Sequence, residues 1–260
     1  MLRTWLALAV LLSGTARGAA PHYTAAGIVN TADYTLGPFA PNSVVTIFGS
    51  GLARSAEGLG LPAGAIKLPF ELNYARVYVS DHPAPLLYAS DTQINFLIPS
   101  DLDPTRGPWT IRVAVEGSTI ASGPEITVAL VDAAPALFPM AGGYAIATHA
   151  DGTLLTADSP AHAWDTVVIY LTGLGPVSAR SAIGDIPSYP SEIVQLSDLK
   201  VSLGGTVMHP GWIKYAGVTA GSAGLYQINL ALPDNLGTDP EIQVAVAGQS
   251  SPAGLKLPVR

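Results

Sequence analysis

The chain has no cysteine among its 260 residues, so no disulfide can hold it together and its fold must rest on a conventional hydrophobic core. Charge is scarce as well, with 12 Lys and Arg against 19 Asp and Glu, or 12% of the chain. Long amphipathic helices need more Glu, Lys and Arg on their solvent faces than this supply provides. A net charge of −7 without any basic cluster argues against sequence-independent nucleic-acid binding, which depends on Lys and Arg displacing counterions from phosphate. Long apolar runs are missing too. Although 48% of residues are hydrophobic, too many for a disordered chain, stretches such as Val44 to Phe48 and Val167 to Leu171 are soon broken by glycine or polar residues. None approaches the roughly 20 apolar residues of a transmembrane helix.

The N-terminus has a positive charge at Arg3, an apolar core from Trp5 to Leu12, and small residues from Ser13 to Ala16. That order is the mark of a secretory signal peptide, read here as residues 1–18 with cleavage after Gly18. The absence of any cysteine excludes a lipoprotein anchor. The mature chain is therefore expected to be secreted or periplasmic, in association with the cell surface or free of it, with no integral membrane segment.

The 27 glycines and 22 prolines are spread along the chain, as short strands and tight turns require. An internal repeat organises them. Val45-Thr46-Ile47-Phe48-Gly49-Ser50-Gly51-Leu52 matches Val167-Val168-Ile169-Tyr170-Leu171-Thr172-Gly173-Leu174. Gln93-Ile94-Asn95-Phe96-Leu97-Ile98-Pro99 matches Gln227-Ile228-Asn229-Leu230-Ala231-Leu232-Pro233, and Ile111 to Gly117 matches Ile242 to Gly248. These blocks recur in the same order, which implies a duplicated unit. Each reads as a strand: Ile94, Phe96 and Ile98 share one face and Gln93, Asn95 and Leu97 the other. Proline closes the second block in both copies, at a strand exit where no ladder donor is needed. The predicted fold is all-β: two tandem immunoglobulin-like β-sandwiches over 24–138 and 139–260. The short connection from Pro139 to Gly143 suggests limited freedom between them.

Five segments carry a resemblance. They are Gly27 to Ala32, Pro85 to Asn95, Asp151 to Leu154, Thr172 to Pro176 and Gly224 to Asn229. Together they resemble the uncharacterised duplicated C-terminal domain of exported acidobacterial proteins, first noticed in Solibacter. The resemblance covers nearly all of the mature chain. It implies the same paired sandwiches and brings no established activity or catalytic residue with it.

Hydrolase chemistry finds little footing in the sequence. A Gly-x-Ser-x-Gly nucleophile turn is absent, and Gly49-Ser50-Gly51 and Gly221 to Gly224 read as glycine turns. His22, His82, His149, His162 and His209 lack the close spacing of a zinc site and are read as loop residues. His149-Ala150-Asp151-Gly152 is a hairpin turn on its Asp-Gly step. Asp101, Asp103, Asp132, Asp185, Glu192 and Asp198 sit among prolines and turn residues, as solvated loop carboxylates do. The duplicated pairs Gln93 with Asn95 and Gln227 with Asn229 are assigned a structural role, bonding to the backbone of an adjoining loop.

Aromatic residues offer the best route to binding. Among Trp109, Trp164, Trp212, Tyr74, Tyr78, Tyr88, Tyr189 and Tyr215, most belong to the core, and Tyr88 and Tyr215 occupy matching places before the Gln-x-Asn strands. Trp212 and Tyr189 lie in insertions peculiar to the second half and are the candidates for exposed ligand contacts. The reading is a non-enzymatic binding or structural module for protein or polysaccharide, with no cofactor and no metal. The alternative is a glycan-active secreted hydrolase with its site between the two domains.

Overall fold

The computed structural model describes residues 20–179 and 182–260, so the signal peptide expected over 1–18 lies outside the described residues. The protein is all-β. Among the described residues the helical elements are four three-residue 3-10 turns, and no described helix is long and apolar enough to cross a membrane.

Alternating side chains build the layers. In Ala75–Val79 the residues Ala75, Val77 and Val79 are buried while Arg76 and Tyr78 face outward, the two-residue period of a strand with one wet face. Residues 28–128 form two sheets. One runs Ile28–Asn30, Val44–Phe48, Gln93–Leu97, Leu86–Ala89 and Leu59–Gly60; the other runs Ile126–Val128, Trp109–Glu116, Ala75–Val79 and His82–Ala84. Their inner faces share one core that includes Ile47, Ile94, Phe96, Val77 and Ile111. The second half repeats the plan. Ala136–Leu137, Thr166–Thr172, Tyr226–Ala231, Ile213–Val218 and Ser191–Glu192 form one sheet. Thr206–Val207, Lys200–Leu203, Ile242–Val246 and Gln249–Ser250 form the other, over a core containing Ile169, Ile228, Val201 and Val244. Because Ala136–Leu137 pairs with Thr166–Thr172, the second sheet system begins ahead of residue 139, the start expected from the sequence. Leu137 is buried there in the core of the second half.

The sequence repeat is a repeat of register. Thr46 lies opposite Asn95 and Ile47 opposite Ile94, as Val168 lies opposite Asn229 and Ile169 opposite Ile228. Val77 faces Val113 as Val201 faces Val244. Even the irregularities recur: a bulge lets Tyr88 face Asn95 in the first copy, and the same bulge lets Tyr215 face Asn229 in the second. The turn before the first block is also duplicated. Ser43 N donates to Ala40 O and Asn42 N to Ile98 O; in the second copy Asp165 N donates to His162 O and Trp164 N to Leu232 O. Asn42 (φ 64°) and Trp164 (φ 71°) hold the same left-handed position.

The halves meet end to end. Asn42 Nδ2 donates to the Tyr226 hydroxyl at 2.9 Å, and that hydroxyl donates to Gly175 O at 2.5 Å. Thr172 Oγ1 accepts from Val44 N at 3.2 Å and donates to Gly224 O at 2.8 Å. A separate small core of Val44, Leu68, Leu97 and Ala223 fills the space between these contacts. Beside it, two loops pair across the junction: Leu68 N donates to Gly184 O at 2.7 Å, Ile186 N donates to Ile66 O at 3.0 Å, and Lys67 faces Asp185.

Tyr226 is fully buried, and desolvation raises its phenol pKa well above the ordinary value, opposed only in part by the Asn42 bond. Replacing Tyr226 by Phe strands the Asn42 amide and Gly175 O, at a cost of about 1–3 kcal/mol. Chemical denaturation at neutral pH should show that loss. With the folded pKa raised, the unfolded chain releases the phenolic proton first as pH climbs past about 10, and stability from this group falls from there upward. Tyr226→Phe lacks that term, so the gap between the two proteins should narrow in alkali.

Candidate functional site

The segment from Pro176 to Pro190, described except at 180 and 181, is a long irregular connection of the second sheet system, and hydrogen bonds fasten its ends. Ser178 N donates to Glu192 O at 2.8 Å, Val194 N to Pro176 O at 2.9 Å, and Ala179 N to Ser191 Oγ at 2.9 Å. So held, the loop leans toward the first sandwich and encloses with it a cleft of about 970 Å³. The first half supplies Pro41, Asn42, Leu97, Ser100 and Asp101; the second supplies Val177, Ile183, Ile186, Tyr189, Val218 and Ala223 among others. The floor is apolar and the rim carries hydroxyls, an amide and carboxylates, the usual make-up of a ligand site at a domain interface.

Tyr189 stands on this rim with 82% of its surface exposed, as its place in an insertion suggested. Trp212 lies elsewhere. It is the last residue of the 3-10 turn Pro210–Trp212 just before Ile213–Val218, whereas Tyr189 precedes Ser191–Glu192, which pairs with the far end of that strand. The two candidates thus sit at opposite ends of one strand, roughly 20 Å apart at 3.3 Å per residue. Nor is Trp212 freely exposed: it is half-buried against the second core, and Trp164 lies over it with ring centroids 5.7 Å apart at 35°. Composition had given no sign of this pairing. It arises because Thr166–Thr172 and Ile213–Val218 flank Tyr226–Ala231, so the residues leading into both strands meet at one end of the sheet.

The Gln and Asn pairs are half-buried in both copies and bond to each other instead of to a loop backbone. Gln93 Nε2 donates to Asn95 Oδ1 at 2.8 Å and Gln227 Nε2 to Asn229 Oδ1 at 2.9 Å. Thr46 Oγ1 adds a bond to Asn95 Oδ1 at 3.1 Å. Side chains two apart on a strand share a face, which puts amide and carbonyl within reach without any loop.

His82 and His149 are strand residues, contrary to the loop placement expected for all five histidines. His149 does end in a turn: Gly152 N donates to His149 O, with Gly152 at φ 87°. Ser159 Oγ approaches His149 Nε2 at 3.4 Å, but Asp151 turns away to accept from Thr153 N and Oγ1. Those bonds, led by the Thr153 hydroxyl, hold the Asp151 carboxyl below its ordinary range and turn it to Thr153 instead of to the His149 ring. In the cleft, Asp185 accepts from Ala182 N at 3.0 Å and pairs with Lys67 at 3.7 Å.

No protein-family model and no curated relative matches the sequence. Among solved structures the chain is similar to a surface glycan-binding protein from Prevotella bryantii, at 11% identity and a TM-score of 0.29 over 92% of this chain. It is also similar to a Bacteroides ovatus surface glycan-binding protein in complex with a mixed-linkage heptasaccharide, at 10% identity and a TM-score of 0.33 over 85% of this chain. The chain spans 42% of the length of each. The tandem Ig repeats of Dlar match at 11% identity, a TM-score of 0.20, and 85% and 91% coverage of the two chains. Likenesses this distant carry no functional weight.

If the Gln and Asn pairs serve the sheet alone, Asn95→Ala and Asn229→Ala should each lower unfolding free energy by about 0.5–1.5 kcal/mol. Ligand binding, measured on the same preparations, should stay at the wild-type level.

Proposed function

We propose that the chain is an exported binding module that holds a polysaccharide in the cleft between its two sandwiches, with Tyr189 as the stacking residue. The observation that carries this reading is a cleft whose walls come from both halves and whose halves are held by hydrogen bonds across the junction, so the site is formed before ligand arrives. Tyr189 presents a flat aromatic face to the C–H surface of a sugar, and Ser100, Asp101 and Ser188 line the same cleft as bonding partners for hydroxyls. Binding suits the lining better than hydrolysis. Glycoside cleavage draws on two available carboxyl groups, whereas of Asp101 and Asp185, the carboxylates in the described lining, Asp185 is engaged by Lys67 and Ala182. Membership of the duplicated acidobacterial family is part of the same proposal, supported by the five motif segments.

A glycan array run beside a protein pull-down from culture supernatant tests this. The wild-type chain should retain one class of polysaccharide, and Tyr189→Ala should weaken that binding roughly tenfold or more. Retention of a protein in place of any glycan, or unchanged binding by the variant, overturns the reading.

A further inference from the structure

Trp164 occupies a position that the fold does not need a tryptophan to fill. The turn from His162 to Asp165 is the duplicate of the turn from Ala40 to Ser43, with the same backbone bonds and the same left-handed residue. In the first copy that residue is Asn42, a type that tolerates positive φ and spends its side chain on Tyr226 in the junction. In the second copy it is a bulky aromatic, strained by its backbone conformation and 63% exposed. The bulge register extends the comparison: Ile213 corresponds to Leu86, so Trp212 stands where the first copy has Pro85. Pro85 is buried beside Gly184 of the second sandwich. The end of the first sandwich that the second one covers therefore reappears on the second sandwich, uncovered among the described residues and faced with two indoles.

We propose that Trp164, backed by Trp212, forms a second carbohydrate platform, on which a pyranose ring of a neutral, extended polysaccharide stacks. The inference rests on the polysaccharide reading above. At 5.7 Å between centroids and a tilt of 35° the two rings overlap in part, so Trp212 backs the Trp164 ring and leaves the outer face of Trp164 for a sugar ring. The turn is pinned by Trp164 N to Leu232 O at 3.0 Å and by Leu232 N to Asp165 O at 2.8 Å, so the exposed ring is presented on a fixed backbone. The net charge of −7 disfavours acidic polysaccharides and leaves neutral ones. With Tyr189 at the other end of the same sandwich, a long chain can engage both places, and binding should strengthen with ligand length beyond what either place gives.

The test titrates cellohexaose, xylohexaose and mannohexaose into the full chain while tryptophan fluorescence is recorded, for wild type, Trp164→Asn, Trp212→Ala and Tyr189→Ala. Trp164→Asn installs the residue that the first copy already uses in this turn, so its Tm should equal or exceed that of wild type, which separates loss of binding from loss of fold. We expect a saturable fluorescence change with at least one of these sugars, weakened roughly tenfold or more in Trp164→Asn and in Trp212→Ala. Wild-type affinity in Trp164→Asn overturns the platform, and so does the absence of any fluorescence change. If Tyr189→Ala alone loses binding, the cleft stands and the platform falls; if only the tryptophan variants lose it, the platform stands without the cleft. Should Trp164→Asn instead abolish a concentration-dependent rise in mass by sedimentation, with sugar titrations unchanged, the surface is a protein contact and the proposal fails.

Discussion

A single buried phenol governs the arrangement of the two sandwiches. Removing the Tyr226 hydroxyl from water is unfavourable unless both its donor and its acceptor capacity are used. Its donor is used within the second half, on Gly175 O, and its acceptor is used by Asn42 of the first. Satisfying one side chain therefore fixes one domain against the other. Thr172 applies the same rule a few residues away, accepting from Val44 N of the first half and donating to Gly224 O of the second. Both Thr172 bonds are buried beside the apolar cluster of Val44, Leu68, Leu97 and Ala223, where a hydrogen bond is stronger and its loss costly. The cleft exists because this junction does: Asn42 and Leu97 serve the lock and line the cavity at once.

Much of the fold was legible because the repeated blocks are strands, and strands betray themselves by a period of two and by the residues that end them. Ile47 and Ile169, Ile94 and Ile228, Val113 and Val244 occupy the same places in two cores, so matching letters correspond to matching registers. What escaped the sequence depends on partners far along the chain. The Gln and Asn pairs were rightly placed on one strand face, yet their bonding to each other follows from side-chain reach and not from a loop. Trp164 and Trp212 meet only because the strand order sets their leading segments side by side. Tyr226 left one readable trace: in the repeat it stands where the first copy has Thr92, a large aromatic against a small polar residue beside an otherwise shared Gln-x-Asn strand.

That trace points to a general division within the molecule. The features common to both copies are the registers, the bulges beside Asn95 and Asn229, the side-chain amide pairs and the left-handed turns. All of them serve the sandwich, since each copy must solve the same problem of pairing its backbone and filling its core. Features found in one copy alone have no such obligation. The Pro176 to Pro190 loop, Tyr189, Tyr226 and the two indoles belong to the second copy, and they make the cleft, the lock and the exposed aromatic end. The turn at Asn42 and Trp164 shows the division at one backbone position. Both copies keep the left-handed turn because the strand behind it needs that entry. An asparagine there is accommodated at little cost and is spent on holding the domains together, whereas a tryptophan there is strained and remains in solvent. Within the fold the strained ring gains its contact with Trp212, where Asn42 in the same turn gains the bond that holds the two halves together.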